Sequence, residues 1–316
     1  MSITASSTMR AKVEAYLEER RQSGFKLQTA GSQLKSFVRF AQAHGHRGPL
    51  TVELALAWAQ ASRRRKTQTA ASRLTQLRPF AEFCHRLDPA DKVPPAQFFG
   101  RSYSRSTPHV YTLGEIRSLI DAAARWSSGE LRAASYATIF GLLAATGLRL
   151  SEAMGLQRED VDLIQGVLRI RETKFDASRY VPLHPSTVHA LKRYVRRRDR
   201  DPLSAHAQRF FVAEHARVVT RDAVQYVFRQ LRQRLKWRSR GTRPAPRIHD
   251  LRFTFICRRI ERWYAQGVDV DQRMLALSTY VGHATASGTY WYLTATPRLM
   301  ALAAGRFARK NSGRYR

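Results

Sequence analysis

Three separated segments concentrate residue types that can stabilise charge on a phosphate. They read TGLRLSEAMGLQREDVDL (146–163), IHDLR (248–252) and VGHATASGTYWY (281–292). A phosphodiester attacked in line gains negative charge on its non-bridging oxygens, and fixed arginine and histidine donors stabilise that charge. The sequence has no glycine-rich phosphate loop and no H-E-x-x-H motif. We therefore expect the charge to be met by side chains.

Each residue type in these segments suits one part of such chemistry. Arg149 and Arg252 can each offer a bidentate guanidinium to the phosphate. His249 lies three residues before Arg252, so on a helix both point to one side. The phenol of Tyr292 has an ordinary pKa of about 10, so it attacks well only with a base or nearby cations. His249 is the natural proton acceptor.

These motifs and their order resemble the tyrosine recombinase family, also called the lambda-integrase or phage integrase family. The first segment resembles the family's first arginine motif, and the second its H-x-x-R motif. The third resembles its G-H motif, with Tyr292 nine residues after His283. A further match is Lys174, which precedes the Val181-Pro182-Leu183 segment by seven residues, as a hairpin lysine does in the family.

The resemblance implies a complete set of site residues and a reaction. The catalytic residues would be Arg149, Lys174, His249, Arg252, His283 and Tyr292, with Glu152 in support. The tyrosine would form a 3′-phosphotyrosyl bond, Lys174 would protonate the leaving 5′-oxygen, and His283 would hydrogen-bond a phosphate oxygen. No metal, ATP or other cofactor is expected. Two strand exchanges would require double-stranded DNA and a tetramer on two DNA sites.

Some positions leave alternatives or depart from the family pattern. Phe253 and Phe255 follow Arg252 where the family more often has a histidine, so a supporting hydrogen bond is expected to be missing. The stretch from 253 to 281 is longer than usual, which suggests an insertion near the site. The competing residues are Tyr280 and Tyr290 for the nucleophile, and Lys192 and Lys236 for the lysine.

Hydrophobic periodicity predicts the elements that carry these residues. Apolar residues at three- and four-residue steps indicate helices from residue 9 to about 87, and a polar, Ser- and Pro-containing stretch follows. Thr112 and Glu115 form a capping box, and alternating residues from 167 to 183 indicate a β-hairpin before the pattern becomes helical again from His184. The expected fold is mostly α with a small antiparallel sheet.

The resemblance turns this pattern into a two-domain clamp. Residues 1–99 would form a helical core-binding domain, 100–110 a linker, and 111–316 the catalytic domain. The tail 295–316 contains a short apolar helix, LMALAA, which would dock on a neighbouring protomer or pack on its own domain. The tail also resembles those of recombinases carried by transposon-like elements.

Charge predicts a polyanionic partner. The chain has 55 Lys and Arg against 24 Asp and Glu, a formal net charge of +31. An RNA-coating protein can be equally basic, so charge alone does not separate DNA from RNA. Expected contacts to DNA phosphates are Arg63, Arg64, Arg65, Lys66 and Arg73, against the alternative of a solvated basic turn.

Cysteine content and apolar run lengths predict the compartment. Cys84 and Cys257 lie far apart and outside any metal-ligand spacing, so neither a disulfide framework nor a metal site is expected. No signal-peptide core or membrane span is apparent, and a reducing cytoplasm fits.

The sequence therefore predicts a site-specific recombinase or integrase of a mobile element. Other recombinases or accessory proteins of the same element are further expected partners. A catalytically silent DNA-binding regulator with this fold and a type IB topoisomerase are the alternatives.

Overall fold

A computed structural model describes most of the chain. The described residues are 8–25, 27–62, 67–101, 106–126, 129–171, 178–283, 287–290, 292, 299–302 and 304–305. The chain divides into two compact units, Met1–Arg105 and Ser106–Arg316. The division falls within the predicted linker.

The first unit is built from helices. They are α1 (Met9–Gln22), α2 (Gln28–Ala43), α3 (Val52–Gln60) and α4 (Thr67–Leu87). Their apolar faces bury Phe37, Trp58 and Phe80 completely, with Phe37 and Trp58 in an edge contact at 5.4 Å. A buried ion pair joins α1 to the segment after α4, with Lys12 Nζ 2.5 Å from Asp91 Oδ2. This unit has its own core.

The second unit is mainly helical and carries a small sheet. Its helices are α5 (Leu113–Ala124), α6 (Glu130–Thr146), α7 (Leu150–Gly155), α8 (Pro185–Arg198), α9 (Pro202–Ala205), α10 (Arg221–Arg234), α11 (Asp250–Ala265), α12 (Val270–Val281) and α13 (Ser287–Tyr290). Its strands are β1 (Val161–Asp162), β2 (Val167–Ile170) and β3 (Arg179–Pro182).

The sheet is antiparallel in the order β1-β2-β3. In the predicted hairpin, Leu168 pairs with Val181 and Ile170 with Arg179. Leu168, Ile170 and Val181 are buried, because alternate residues of a strand face the same side. The predicted fold class is confirmed, and β1 is a strand that the sequence analysis did not anticipate.

Two apolar clusters fill the second unit. The larger one surrounds α6, whose Ile139 and Phe140 are fully buried. The smaller one joins α11 and α12 and includes Tyr292 and Leu299. Residues 299–302 are helical, and Leu299 is fully buried in this cluster of the same chain.

The sequence predicts helices from His184 onward, interrupted by a loop at 241–247, and this prediction is wrong between α9 and α10. Apart from a 3₁₀ turn at Glu214–Ala216, that segment is irregular, with a bridge between Val212 and Val218. The apolar run at 210–213 has no helical period, and all four of its residues are buried. His215 and Ala216 have φ values of 57° and 56°, which no right-handed helix accommodates.

None of the helices in the described part of the chain is long and apolar enough to cross a bilayer.

Candidate active site

Arg149 lies at the start of α7 and faces the end of α12. Gly147 ends α6 with a left-handed φ of 67°, so the chain turns sharply into Arg149. The Arg149 backbone N–H donates to Glu152 Oε2 at 2.8 Å, and its Nη1 donates to Glu152 Oε1 at 2.7 Å. Its Nη2 donates to the carbonyl of Gly282 at 2.7 Å. The side chain keeps 37% of its surface exposed, enough to meet a ligand.

Arg252 is the most deeply placed cation of the site. It lies in the first turn of α11 with 2% of its surface exposed, and its Nη1 donates to the carbonyl of Gly147 at 2.7 Å. Its buried Nη2 makes no hydrogen bond to any of the residues that the structure describes. Burial and the charge of Arg149 lower its pKa to about 10. A phosphate oxygen would supply the acceptor that this buried donor lacks.

His249 immediately precedes α11 and is exposed on one side. Partial loss of solvent and the charges of Arg252 and Arg247 hold the pKa of its imidazole below the ordinary value. The following residue, Asp250, is fully buried and accepts from Arg247 Nη2 at 2.7 Å and from its backbone N–H at 2.9 Å. This ion pair fixes the turn that presents His249.

His283 and Tyr292 are stacked at the end of the site. Gly282 caps α12 with a left-handed φ of 70°, and His283 follows it. The ring of His283 lies 5.9 Å from that of Tyr292 at an interplanar angle of 17°, and its Nδ1 is 2.6 Å from Thr289 Oγ1. Burial and the charges of nearby arginines lower the pKa of His283 to about 4. At neutral pH its imidazole is uncharged.

Tyr292 is shielded from solvent but surrounded by positive charge. It is 7% exposed and packs on Phe253, with ring centroids 5.0 Å apart. Burial raises the pKa of its phenol, and the charge of Arg252, a hydrogen bond with the Arg252 side chain and the charge of Arg149 oppose that rise. A bound phosphate would therefore meet a neutral phenol with guanidinium groups beside it.

The competing tyrosines have other surroundings. The hydroxyl of Tyr280 donates to the carbonyl of Pro182 at 3.2 Å, its ring stacks on Phe255, and burial raises its pKa to about 12. Tyr290 is 40% exposed at the end of α13. Among the three, Tyr292 is the one stacked on His283. The stretch expected to hold an insertion forms α11 and α12.

Of the other predicted residues, some are described by the structure and some are not. Lys174 and the basic run Arg63, Arg64, Arg65 and Lys66 lie outside the described residues. Arg73 lies on α4, where its guanidinium covers the Trp58 ring at 4.1 Å and burial lowers its pKa. The alternative lysines, Lys192 and Lys236, are exposed on α8 and just after α10.

Arg179 is a site residue that the sequence analysis missed. Its Nη1 and Nη2 donate to the two oxygens of Glu152 at 3.1 and 2.9 Å. Its Nε donates to the carbonyl of Tyr280 at 3.0 Å. Its position on β3 could have revealed it. Arg179 lies two residues before the buried Val181, so both face the same inward side of the strand.

No group of three or more His, Cys, Asp or Glu side chains arranged to hold a metal ion occurs among the residues that the structure describes.

Comparison with known proteins identifies the family of the chain. The sequence pattern of the phage integrase family matches residues 110–298. The chain is 36% identical over 309 residues to a putative integrase/recombinase, y4rB, of Sinorhizobium fredii, covering 96% of this chain and 98% of that protein. It is 26% identical over 220 residues to the tyrosine recombinase XerD of Staphylococcus saprophyticus, covering 69% of each chain.

Solved structures share the fold at low sequence identity. The Tn1549 transposon integrase in complex with transposon right end DNA has a TM-score of 0.64 and 16% identity, covering 94% of this chain and 99% of that chain. XerH bound to a palindromic difH substrate has a TM-score of 0.64 and 15% identity, covering 89% and 80%.

The family pattern spans more than half of the chain, and a full-length relative exceeds 30% identity. The chain therefore belongs to the phage integrase family and is a tyrosine site-specific recombinase.

Proposed function

We propose that the protein breaks and rejoins DNA strands through a 3′-phosphotyrosyl intermediate formed on Tyr292, without metal or ATP. The observation that carries this proposal is the meeting of Arg149, the unpartnered Nη2 of Arg252 and His283 around the Tyr292 phenol. Such an arrangement stabilises charge that develops on a phosphate.

The reaction balances within the protein and DNA. The Tyr292 oxygen attacks phosphorus, the bond to the 5′-oxygen breaks, and a phosphotyrosyl ester replaces the phosphodiester. His249 accepts the phenolic proton, which its lowered pKa permits because the imidazole is neutral at pH 7. Lys174 supplies a proton to the leaving oxygen. A 5′-hydroxyl of the partner strand then attacks the ester and restores both the phosphodiester and the phenol, so no external energy is used.

The two arginines have distinct tasks. Arg149 is partly exposed and fixed by Glu152, so it meets the phosphate from the solvent side. Arg252 is buried, and a non-bridging oxygen would satisfy its free Nη2. Loss of one such donor typically costs about 10² to 10³ in rate.

The wider role follows from the chemistry and the likeness to recombinases. Exchange of two duplexes requires four active sites, so we expect a tetramer on two DNA sites, assembled in the cytoplasm. The helical first unit would clamp the duplex through its basic residues. The tail's likeness to transposon-borne recombinases supports a mobile element as the source of the DNA, with accessory proteins as partners.

The test is covalent trapping on nicked duplexes taken from the DNA that flanks the gene. Wild-type protein should give a band that survives denaturation, and Tyr292→Phe should give none while binding the same DNA. Tyr290→Phe is the matched control and should retain the band.

The alternatives give other results. A band that persists in Tyr292→Phe and disappears in Tyr290→Phe would show that Tyr290 is the nucleophile. Relaxation of any supercoiled plasmid by the wild type would favour a topoisomerase. Binding without a band on any flanking duplex would favour a regulator.

A further inference from the structure

We propose that Arg179 is a positioning residue that holds Arg149 and His283 in place by sharing the Glu152 carboxylate and fastening the end of α12. The inference rests on the proposed function, because it concerns how that site is kept aligned. Arg179 comes from β3, whereas its contacts come from α7 and α12.

Arg179 changes the balance of charge around Glu152. Glu152 accepts from both Arg149 and Arg179, and both Glu152 and Arg179 are only 10% exposed. Burial opposes ionisation, yet the hydrogen bonds from Arg179 and Arg149 hold the pKa of Glu152 below its ordinary value. One carboxylate thus serves two guanidinium groups, which leaves a net positive charge. Without Arg179, Glu152 and Arg149 would form a neutral pair with less attraction for a phosphate.

Arg179 also binds the C-terminal end of α12. Its last carbonyls carry the negative end of the helix dipole and lack partners within the helix. Arg179 binds the carbonyls of Tyr280 at 3.0 Å and Val281 at 3.3 Å, and Arg149 binds that of Gly282. Two guanidinium groups therefore hold three consecutive carbonyls directly before His283.

Close packing shows that this contact is tight. A Cβ atom at Gly282 would lie 2.6 Å from Cζ of Arg179, so only glycine allows the guanidinium to approach. The guanidinium is also held by its hydrogen bonds to Glu152 and to the carbonyls of Tyr280 and Val281. The location of His283 is therefore tied to that of Arg179.

Arg179 also belongs to the β2–β3 hairpin. Arg179 is the first residue of β3 and pairs with Ile170, the last residue of β2. Lys174 lies in the sequence between these two strands. By attaching β3 to α7 and α12, Arg179 fixes one strand of the hairpin in whose sequence Lys174 lies.

Arg179 also contributes to the charge around His283. The groups that lower the pKa of this imidazole, after burial, are Arg252, Arg149, Arg179 and His249. Removal of the Arg179 charge should move that pKa upward. Arg169, on the neighbouring strand, is not among these groups, so removal of its charge should leave that pKa unchanged.

The experiment compares Arg179→Gln and Arg179→Lys with Arg169→Gln. Arg169 is exposed on the neighbouring strand β2, so its substitution removes the same charge from the same hairpin. At saturating DNA, Arg179→Gln should slow covalent trapping about 10²-fold, the usual cost of a small misalignment. Arg179→Lys keeps the charge without the fork and should lose roughly tenfold. Arg169→Gln should stay within about threefold, as expected for a surface change.

A second readout needs no DNA. The pKa of His283 in the free, full-length protein is followed by NMR of labelled histidine, with its signal identified by its loss in His283→Gln. It should rise in Arg179→Gln and stay unchanged in Arg179→Lys and Arg169→Gln. Thermal unfolding of each variant shows that it is folded.

The outcomes separate the inference from the proposed function. If Arg179→Gln traps as efficiently as Arg169→Gln and leaves the His283 pKa unchanged, the inference is overturned. If the wild type traps no DNA, the proposed function fails, and the NMR readout then tests whether the Arg179 guanidinium lies close to His283. A raised pKa would then support it, and an unchanged pKa would refute it.

Discussion

Replacement of Arg252 by methionine should slow cleavage by about 10² to 10³ and yet stabilise the protein in the absence of DNA. The guanidinium is buried beside Arg149, and its pKa falls to about 10. At about 1.4 kcal/mol for each factor of ten in proton affinity, this lowering corresponds to roughly 3 kcal/mol of cost in the folded state. The folded pKa is the lower one, so the cost is fully present at pH 7 and disappears only as pH rises above 10.

Methionine has an unbranched apolar side chain, shorter than that of arginine, and no charge, so it removes that cost. It also leaves the carbonyl of Gly147 without its partner, which costs about 1–3 kcal/mol. The expected net result is a gain of about 1 kcal/mol, or roughly 2–4 °C in the melting temperature of a unit of this size. An ordinary replacement of a buried side chain would instead lower stability.

Calorimetry in a buffer free of phosphate and sulfate measures the effect, with Arg262→Met as the control. Arg262 is exposed on the same helix, so its change should stay within about 0.5 kcal/mol. Added phosphate at tenfold its dissociation constant should stabilise the wild type by about 1.4 kcal/mol and Arg252→Met much less. A loss of about 2 kcal/mol or more in Arg252→Met would refute this account of an uncompensated charge.

Three further outcomes are expected. Gly282→Ala should lower stability by about 1–2 kcal/mol and reduce trapping, because its φ is 70° and the added methyl would clash with Arg179. Gly267→Ala is the control, because Gly267 has the same φ but open space around it. In thermal melts and trapping assays, the control should lose less stability and trap DNA normally. Lys12→Met should lower the free energy of unfolding in urea by about 3–5 kcal/mol, because its carboxylate partner stays buried and unpaired, and an unchanged midpoint would contradict this. The folded protein should lose stability as pH falls from about 6.5 through 4, because the pKa of His283 is lowered to about 4 in the folded state; urea midpoints at pH 7.5 and 4.5 should differ less in His283→Asn.

The sequence predicted the parts of the site that depend on short-range spacing. The positions of His249 and Arg252 at the start of one helix follow from a spacing of three residues. The β2–β3 hairpin follows from alternation of apolar residues. The capping box at Thr112 and Glu115 is also present as predicted.

Contacts between distant segments could not be predicted in the same way. The bond from Arg149 to the carbonyl of Gly282 joins residues 133 positions apart, and the carbonyl gives no sequence signal. Arg179 was overlooked because an arginine in a strand usually faces solvent. The irregular segment between α9 and α10 was missed because its buried apolar run has no period that separates strand, helix and loop.

The burial of Tyr292 also bears on the safety of the broken DNA. Its ring lies between Phe253 and His283 with 7% of its surface exposed, so few water molecules can reach its oxygen. Under the proposed mechanism, a phosphotyrosyl ester formed there would resist hydrolysis and persist until a 5′-hydroxyl returned. The packing that raises the pKa of the phenol would thus also protect the DNA from permanent breaks.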